Sequence, residues 1–362
     1  MRILAMEPFY GGSHRAFIDG WIDNSRHEFN LLTLPASKWK WRMRHAAITF
    51  AEQARDFAEE GIMPDAVLAT DMLDLAAWRG LVGMPLAGLP AVVYFHENQL
   101  TYPVTEERER DYHFGFTNIV TALAAEQVWF NSDFHRSEFV DAVGVFLERM
   151  PDNRMPEGSS AIDARASVQY PGIDSPPIRS GGHTGPRHIL WAARWEHDKG
   201  PEEFFEALRR LRADGHEFRM SVVGEQFETQ PEVFDRAREE FSDRIVRWGH
   251  QPSRTEYWDA LHEADVVVST ARHEFFGIAV VEAISAGCFP LLPDRLSYPE
   301  IVQRLDLDSN RHLYDGTVDH LTTRLAELID QRPDLDPTDS VDRFFWQAAA
   351  QSMDDAIEEL VK

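Results

Sequence analysis

Glu274 and Glu282 are separated by seven residues in the stretch Ala264–Gly287. An apolar run ends at Thr270, a loop carries Glu274, and Gly277 opens a helix that holds Glu282. The backbone N–H groups around Phe276, Gly277 and Ile278 have no intrahelical acceptor at such a start, so they suit an anion such as a diphosphate. A carboxylate one turn further on accepts hydrogen bonds from sugar hydroxyls. Alone, the pair fits equally a loop glutamate and a helix glutamate that are merely solvated. Arg194 and Lys199 lie in a second loop of the same kind, Ala193–Pro201, between a strand pattern and a helix pattern. Two fixed cations there stabilise a leaving group that gains negative charge. His96 ends the run Val92–Phe95, and Gly11-Gly12 follows the first apolar run.

These residues need elements to position them. Strand patterns cover Arg2–Met6, Asn30–Leu34, Ala66–Thr70, Ala91–Phe95 and Gln127–Asn131, with a helix over about 14–23 and a glycine turn after Met6. Strands alternating with longer connections predict a parallel sheet with helices on both faces. Residues 175–187 are rich in Pro, Gly and Ser and read as a linker. Beyond it the pattern restarts: strands at His188–Ala192, Phe218–Gly224, Arg244–Trp248, Val266–Ser269 and Phe289–Leu292, with a helix at Pro201–Ala213. The expected organisation is an N-terminal Rossmann-like domain 1–174, a linker 175–187, a C-terminal domain 188–340, and a C-terminal helix in 341–362 that packs back on the N-terminal domain. Two α/β domains facing a cleft place functional residues in the loops after strands.

Composition narrows the class. The 362 residues carry 36 Lys+Arg against 61 Asp+Glu, a formal charge of −25, which opposes generic nucleic-acid binding. Against that background Lys38-Trp39-Lys40-Trp41-Arg42-Met43-Arg44-His45 is a local basic and aromatic segment without an acid. The single cysteine, Cys288, excludes a disulfide scaffold and a multi-cysteine metal site. The first residues do not form a signal-peptide pattern, and no run of about 18 apolar residues occurs, so a cytoplasmic protein without membrane insertion is expected. A dinucleotide-dependent oxidoreductase is disfavoured because no G-x-G-x-x-G follows the first strand.

The spacing Glu274–Glu282, with Arg194 and Lys199 ahead of it, resembles the E-x7-E signature of retaining, nucleotide-sugar-dependent glycosyltransferases of the family 4 type, which have the glycosyltransferase-B fold. That resemblance implies roles. Arg194 and Lys199 grip the donor diphosphate, Glu274 holds the donor sugar hydroxyls, Glu282 the donor ribose, and His96 the sugar near its reacting carbon. Gly224, in Val222-Val223-Gly224-Glu225, and His250, in Trp248–Gln251, match the nucleotide turn and base-pocket loop. Gly11 and Gly12 match the loop that approaches phosphate and acceptor, and Asn131-Ser132 an interdomain step. Attack from the front face, with the leaving diphosphate helping to take the acceptor proton, accounts for the lack of an enzyme nucleophile.

Three N-terminal stretches are more particular: Glu7–His14, Tyr94–Pro103 and Asp111–Asn118. They resemble the tRNA-queuosine α-mannosyltransferase group, which moves mannose from GDP-mannose onto the queuosine base of a tRNA anticodon loop. The resemblance implies GDP-mannose as donor substrate, no cofactor and no catalytic metal, and queuosine-containing tRNA as acceptor. It gives Lys38, Trp39, Lys40, Trp41, Arg42 and Arg44 a role in phosphate contact and base stacking. A basic amphipathic surface segment is the plainer account of the same residues. The alternative function is a glycosyltransferase with a lipid or glycan acceptor, for which this segment would seat the enzyme on anionic membrane.

Overall fold

The computed structural model describes residues 1–103, 111–177, 185–226, 230–331 and 339–362. The chain forms two compact units, Met1–Gly172 with Trp346–Lys362, and Ile173–Phe345. The first holds β1 (Arg2–Tyr10), β2 (Glu28–Pro35), β3 (Ala66–Thr70), β4 (Ala91–Phe95), β5 (Gln127–Phe130) and β6 (Ala166–Val168) in the order β2-β1-β3-β4-β5-β6. The second holds β7 (Arg187–Ala192), β8 (Phe218–Val223), β9 (Ile245–Gly249), β10 (Val266–Val268), β11 (Phe289–Pro293) and β12 (Leu313–Tyr314) in the order β12-β11-β10-β7-β8-β9. All pairings are parallel. Every residue of β3, β4 and β11 is buried, as strands covered on both faces require.

In each sheet the strand order reverses once beside the unit's first strand, between β1 and β3 and between β7 and β10. Ligands of open α/β sheets bind outside the carboxyl ends of strands at such a switch point. The loops after β7 and β10 carry Arg194, Lys199 and Glu274. The loops after β1, β3 and β4 carry Gly11, Asp71 and His96.

Three details depart from the sequence expectations. The first strand does not turn at Met6: it continues to Tyr10, with a register shift between Glu7 and Tyr10. Residues 173–174 belong to the second unit, because Ile173 N–H donates to Phe344 O at 2.8 Å and Asp174 pairs with Arg254 at 3.1 Å. Of the expected linker, 178–184 lies outside the described residues. Residues 341–345 also stay with the second unit, where Phe344 packs edge-on against Phe276 at 5.7 Å and Arg343 donates to Arg304 O. The helix Trp346–Val361 belongs to the first unit. Its buried Asp354 accepts from Trp21 Nε1 (2.8 Å), Ser25 Oγ (2.6 Å) and Arg26 N (2.9 Å). Its Trp346 ring lies where a Cβ on Gly20 or Gly172 would come within 2.1 and 2.3 Å.

Candidate active site

In the second unit the loops after β7 and β10 are fastened together. Arg272 N–H donates to Asp198 O at 2.7 Å, and Thr270 Oγ1 donates to Lys199 O at 2.9 Å. Gly200, in the left-handed region at φ 64°, brings the backbone so close to Thr270 that a Cβ would stand 2.4 Å from its carbonyl oxygen. This lock places Lys199 beside Glu274. Lys199 Nζ donates to His273 O (2.8 Å) and lies 3.3 Å from Glu274 Oε2 and 3.1 Å from Asp198 Oδ2, with the residue only 5% exposed. Burial opposes its charge, but Glu274 and Asp198 outweigh burial and hold its pKa above the ordinary lysine value. Arg194 pairs with Glu196 at 3.2 Å and keeps 44% of its side chain exposed. The two cations and Glu274 are thus set by one pair of loops.

Gly277 caps the helix Ile278–Ser285 at φ 95°, and Phe276 is fixed by Ser297 Oγ donating to its carbonyl at 2.7 Å. The helix therefore starts where the sequence placed it, and its first-turn N–H groups, that of Ile278 included, lack intrahelical acceptors. Glu282 is buried, with Arg254 donating to Oε1 (2.6 Å) and Tyr257 to Oε2 (2.7 Å). Burial, then Glu282, hold the Tyr257 hydroxyl well above its usual pKa, so it remains a donor. Each Glu282 oxygen retains a second acceptor direction for a hydroxyl. Arg254 and Tyr257, which fix that carboxylate, were not singled out in the sequence: no spacing marks residues 28 and 25 positions earlier in the chain, on another helix. Gly224 approaches the Ala193 carbonyl closely, and His250 is exposed after Gly249 at the end of β9.

In the first unit Gly11 caps the helix Gly12–Asn24, and a Cβ on it would stand 2.4 Å from that of Ala36. Glu7, His14 and His96 converge there, with one donor atom from each lying within 4.8 Å of the others. Sequence reading missed Glu7 and His14 because their meeting depends on β1 continuing past Met6. His96 N–H donates to Asp71 Oδ1 at 2.9 Å, and Asn131 Nδ2 donates to His96 O at 2.9 Å. Asn131 and Ser132 therefore have structural partners of their own, Ser132 capping the helix Asp133–Glu148.

Burial disfavours the His14 imidazolium, but Glu7 prevails and raises the pKa from 6.5 to about 9. Burial raises the Asp71 carboxyl from 3.8 to about 8, against the opposing pull of His14. Burial, then His14, hold His96 well below 6.5, so it is neutral. Both raised values mean that the folded protein keeps protons the unfolded chain releases. His14's contribution is full below pH 6.5 and is lost as pH rises through about 9; Asp71 adds a loss up to about pH 8. The melting temperature is expected to fall between pH 6.5 and 9, with a shallower fall in His14→Gln. Calorimetry across that range checks it, and a flat wild-type profile contradicts it.

The basic segment begins the helix Trp39–Glu59, behind Lys38 at φ 53°. Lys38, Lys40, Trp41 and Arg44 are exposed, Trp41 by 61%. Trp39 instead packs on Phe114 at 5.1 Å, with Arg44 over the same Phe114 ring at 4.7 Å. Arg42 donates to Pro35 O (2.9 Å) and Ser37 Oγ (3.3 Å), holding the turn after β2. The exposed set is therefore four of the six residues expected from the sequence.

Residues 2–173 match the family model of the tRNA-queuosine alpha-mannosyltransferase N-terminal region, and residues 178–339 that of glycosyl transferases group 1. The chain is 39% identical over 318 residues to a tRNA-queuosine alpha-mannosyltransferase of Drosophila melanogaster, spanning 84% of this chain and 82% of that one. It is 27% identical over 185 residues to the GDP-mannose:cellobiosyl-diphosphopolyprenol alpha-mannosyltransferase of Xanthomonas campestris, covering 50% of this chain and 48% of that relative. Among solved structures, a glycosyltransferase from Rickettsia africae superposes with a TM-score of 0.69 at 14% identity, over 100% of this chain and 98% of that one. Anabaena HepE in complex with UDP gives 0.67 at 15%, over 99% and 100%. At such identities these structures show the fold alone, the two-sheet glycosyltransferase-B architecture.

Proposed function

Because the chain belongs to the tRNA-queuosine α-mannosyltransferase family and is a glycosyltransferase, we propose that it transfers mannose from GDP-mannose to the queuosine base of tRNA, retaining the anomeric configuration. The observation that carries this reading is the 39% identity to such an enzyme, sustained over most of both chains. The acceptor hydroxyl oxygen bonds to the mannose anomeric carbon as the bond from that carbon to the diphosphate oxygen breaks. The leaving GDP keeps the electron pair and takes up the hydroxyl proton. Arg194 and buried Lys199 face the charge that grows on the diphosphate, and fixed cations stabilise it without reorganising. Glu274, held by Lys199, receives sugar hydroxyls, and Glu282, held by Arg254 and Tyr257, receives those of the ribose. Gly224, His250 and the amides of Phe276, Gly277 and Ile278 border the nucleotide. In the first unit His96 takes a sugar hydroxyl, with Gly11 and Gly12 lending backbone.

No catalytic metal or cofactor enters this scheme, since cations and helix amides meet the diphosphate charge. Among the described residues no helix is long and apolar enough to cross a membrane, and we assign the activity to the cytoplasm, where tRNA is available. Lys38, Lys40, Trp41 and Arg44 form the tRNA-contacting face, Trp41 offering a stacking surface and the cations meeting phosphates. Trp41→Ala is expected to weaken tRNA binding about 10-fold, and removing Lys40 and Arg44 to reduce its salt dependence, with the fold unchanged. Filter binding at several salt concentrations measures both. Undiminished tRNA binding, with the variants failing instead to bind anionic liposomes, would favour a lipid acceptor.

A further inference from the structure

Glu7 is 1% exposed and has no role in the scheme above. Its Oε1 accepts from the Phe9 N–H at 2.7 Å, and its Oε2 lies 3.2 Å from His14 Nδ1. The same Oε2 is 4.0 Å from His96 Nε2, too far for a hydrogen bond. Among the described residues His96 Nε2 has no hydrogen-bond partner, although its side chain is only 9% exposed. The ring is held in place by His14 (centroids 4.0 Å apart) and, edge-on, by Tyr94 (4.7 Å) and Phe17 (5.0 Å). Asp71 and Asn131 fix its backbone.

A buried imidazole nitrogen left unpaired carries a desolvation cost, and here the ring is immobilised in that condition. A gap of 4.0 Å between an imidazole nitrogen and a carboxylate oxygen is spanned by one oxygen sitting about 2.8 Å from each. A hydroxyl suits both ends, since it donates to the carboxylate and accepts from the imidazole. A phosphate or carboxylate does not, because it would meet the Glu7 charge.

We propose that Glu7 and His96 form a hydroxyl-binding subsite, in which one substrate hydroxyl donates to Glu7 Oε2 and accepts from His96 Nε2–H. His14 is the positioning residue that holds Glu7. The proposal rests on the functional reading, which supplies two sources of the hydroxyl: the mannose of the donor and the hydroxylated ring of queuosine.

The test uses the full-length protein labelled with nitrogen-15 histidine, with the His96 resonances assigned through His96→Asn. GDP-mannose and the queuosine nucleoside are added in separate titrations. The Nε2 resonance is expected to shift with one of them, which identifies the source, and the shift is expected to be lost in Glu7→Gln. Deleting the responsible hydroxyl then lowers kcat/KM about 10- to 100-fold in wild type but less than about 3-fold in Glu7→Gln. If Glu7→Gln does not fold, His14→Gln, which frees the carboxylate from its anchor, should show a reduced coupling to the same deletion. No shift with either ligand overturns the subsite, as do fully additive losses. Zn²⁺ alone perturbing His14 and His96 together at micromolar concentration would also overturn it, by showing the three donors to be a cation site. A His96 shift without transfer by the wild type would refute the functional reading and leave the subsite standing.

Discussion

Lys199→Ala is expected to lower kcat/KM for mannose transfer by about two to three orders of magnitude, roughly 3–4 kcal/mol, the scale of a lost preorganised electrostatic donor. The side chain is almost wholly enclosed, with its charge set between Asp198 and Glu274. Its removal also leaves Asp198 and Glu274 facing one another without the charge that links them. A fall in melting temperature accompanies the kinetic loss, because an uncompensated, partly buried carboxylate is costly. Lys199→Met separates the two effects: it restores apolar volume but not charge, so turnover stays low. Steady-state kinetics with labelled donor, alongside a melting curve, measure both. Turnover within about threefold of wild type would remove Lys199 from the transition state.

The second large effect is on stability. Gly224 directly follows β8 at φ 154°, and a Cβ there would stand 1.8 Å from the Ala193 carbonyl oxygen and 2.6 Å from its carbon. Both obstacles are backbone, so no rotamer relieves the contact. The same junction is stitched by Ala193 N–H to Val223 O (3.1 Å), Trp195 N–H to Glu225 O (3.0 Å) and Gly224 N–H to Gly249 O (3.3 Å). Gly224→Ala must open this junction, at an expected cost of about 3–5 kcal/mol, the upper range for a single substitution. Because Arg194 leaves from the same stitch, any folded fraction is expected to bind donor more weakly. Urea denaturation checks the first point, and a loss under about 0.5 kcal/mol would contradict it.

The fold was legible where burial was uniform. Ala66–Thr70, Ala91–Phe95 and Pro201–Ala213 coincide with the structure at both ends, because a strand covered on both faces is continuously apolar and a proline at the first helical turn marks its start. The edge strands β6 and β12 were not anticipated: at three and two residues they are too short for a periodic signal. β1 was cut short because Glu7-Pro8 looks like a turn, whereas the Glu7 carboxylate is neutralised by His14 and so tolerates burial in a strand. Arg194, Lys199 and Glu274, the residues proposed to meet the donor, stood out in the sequence because they lie in two loops of conspicuous spacing, which the fold fastens together. The supports of other site residues did not: Arg254 and Tyr257 reach Glu282, and Glu7 and His14 reach His96, only through tertiary packing. Arg42 looked like the other cations of its segment, and only the fold turns it toward Pro35 and Ser37.

The most direct test of the central claim is transfer from radiolabelled GDP-mannose to total tRNA drawn from cells with and without queuosine. Label is expected in the queuosine-containing tRNA alone. Label in neither tRNA, while the protein still binds or slowly hydrolyses the donor, would contradict the assigned acceptor and move the activity to a lipid or glycan; equal label in both would contradict its dependence on queuosine.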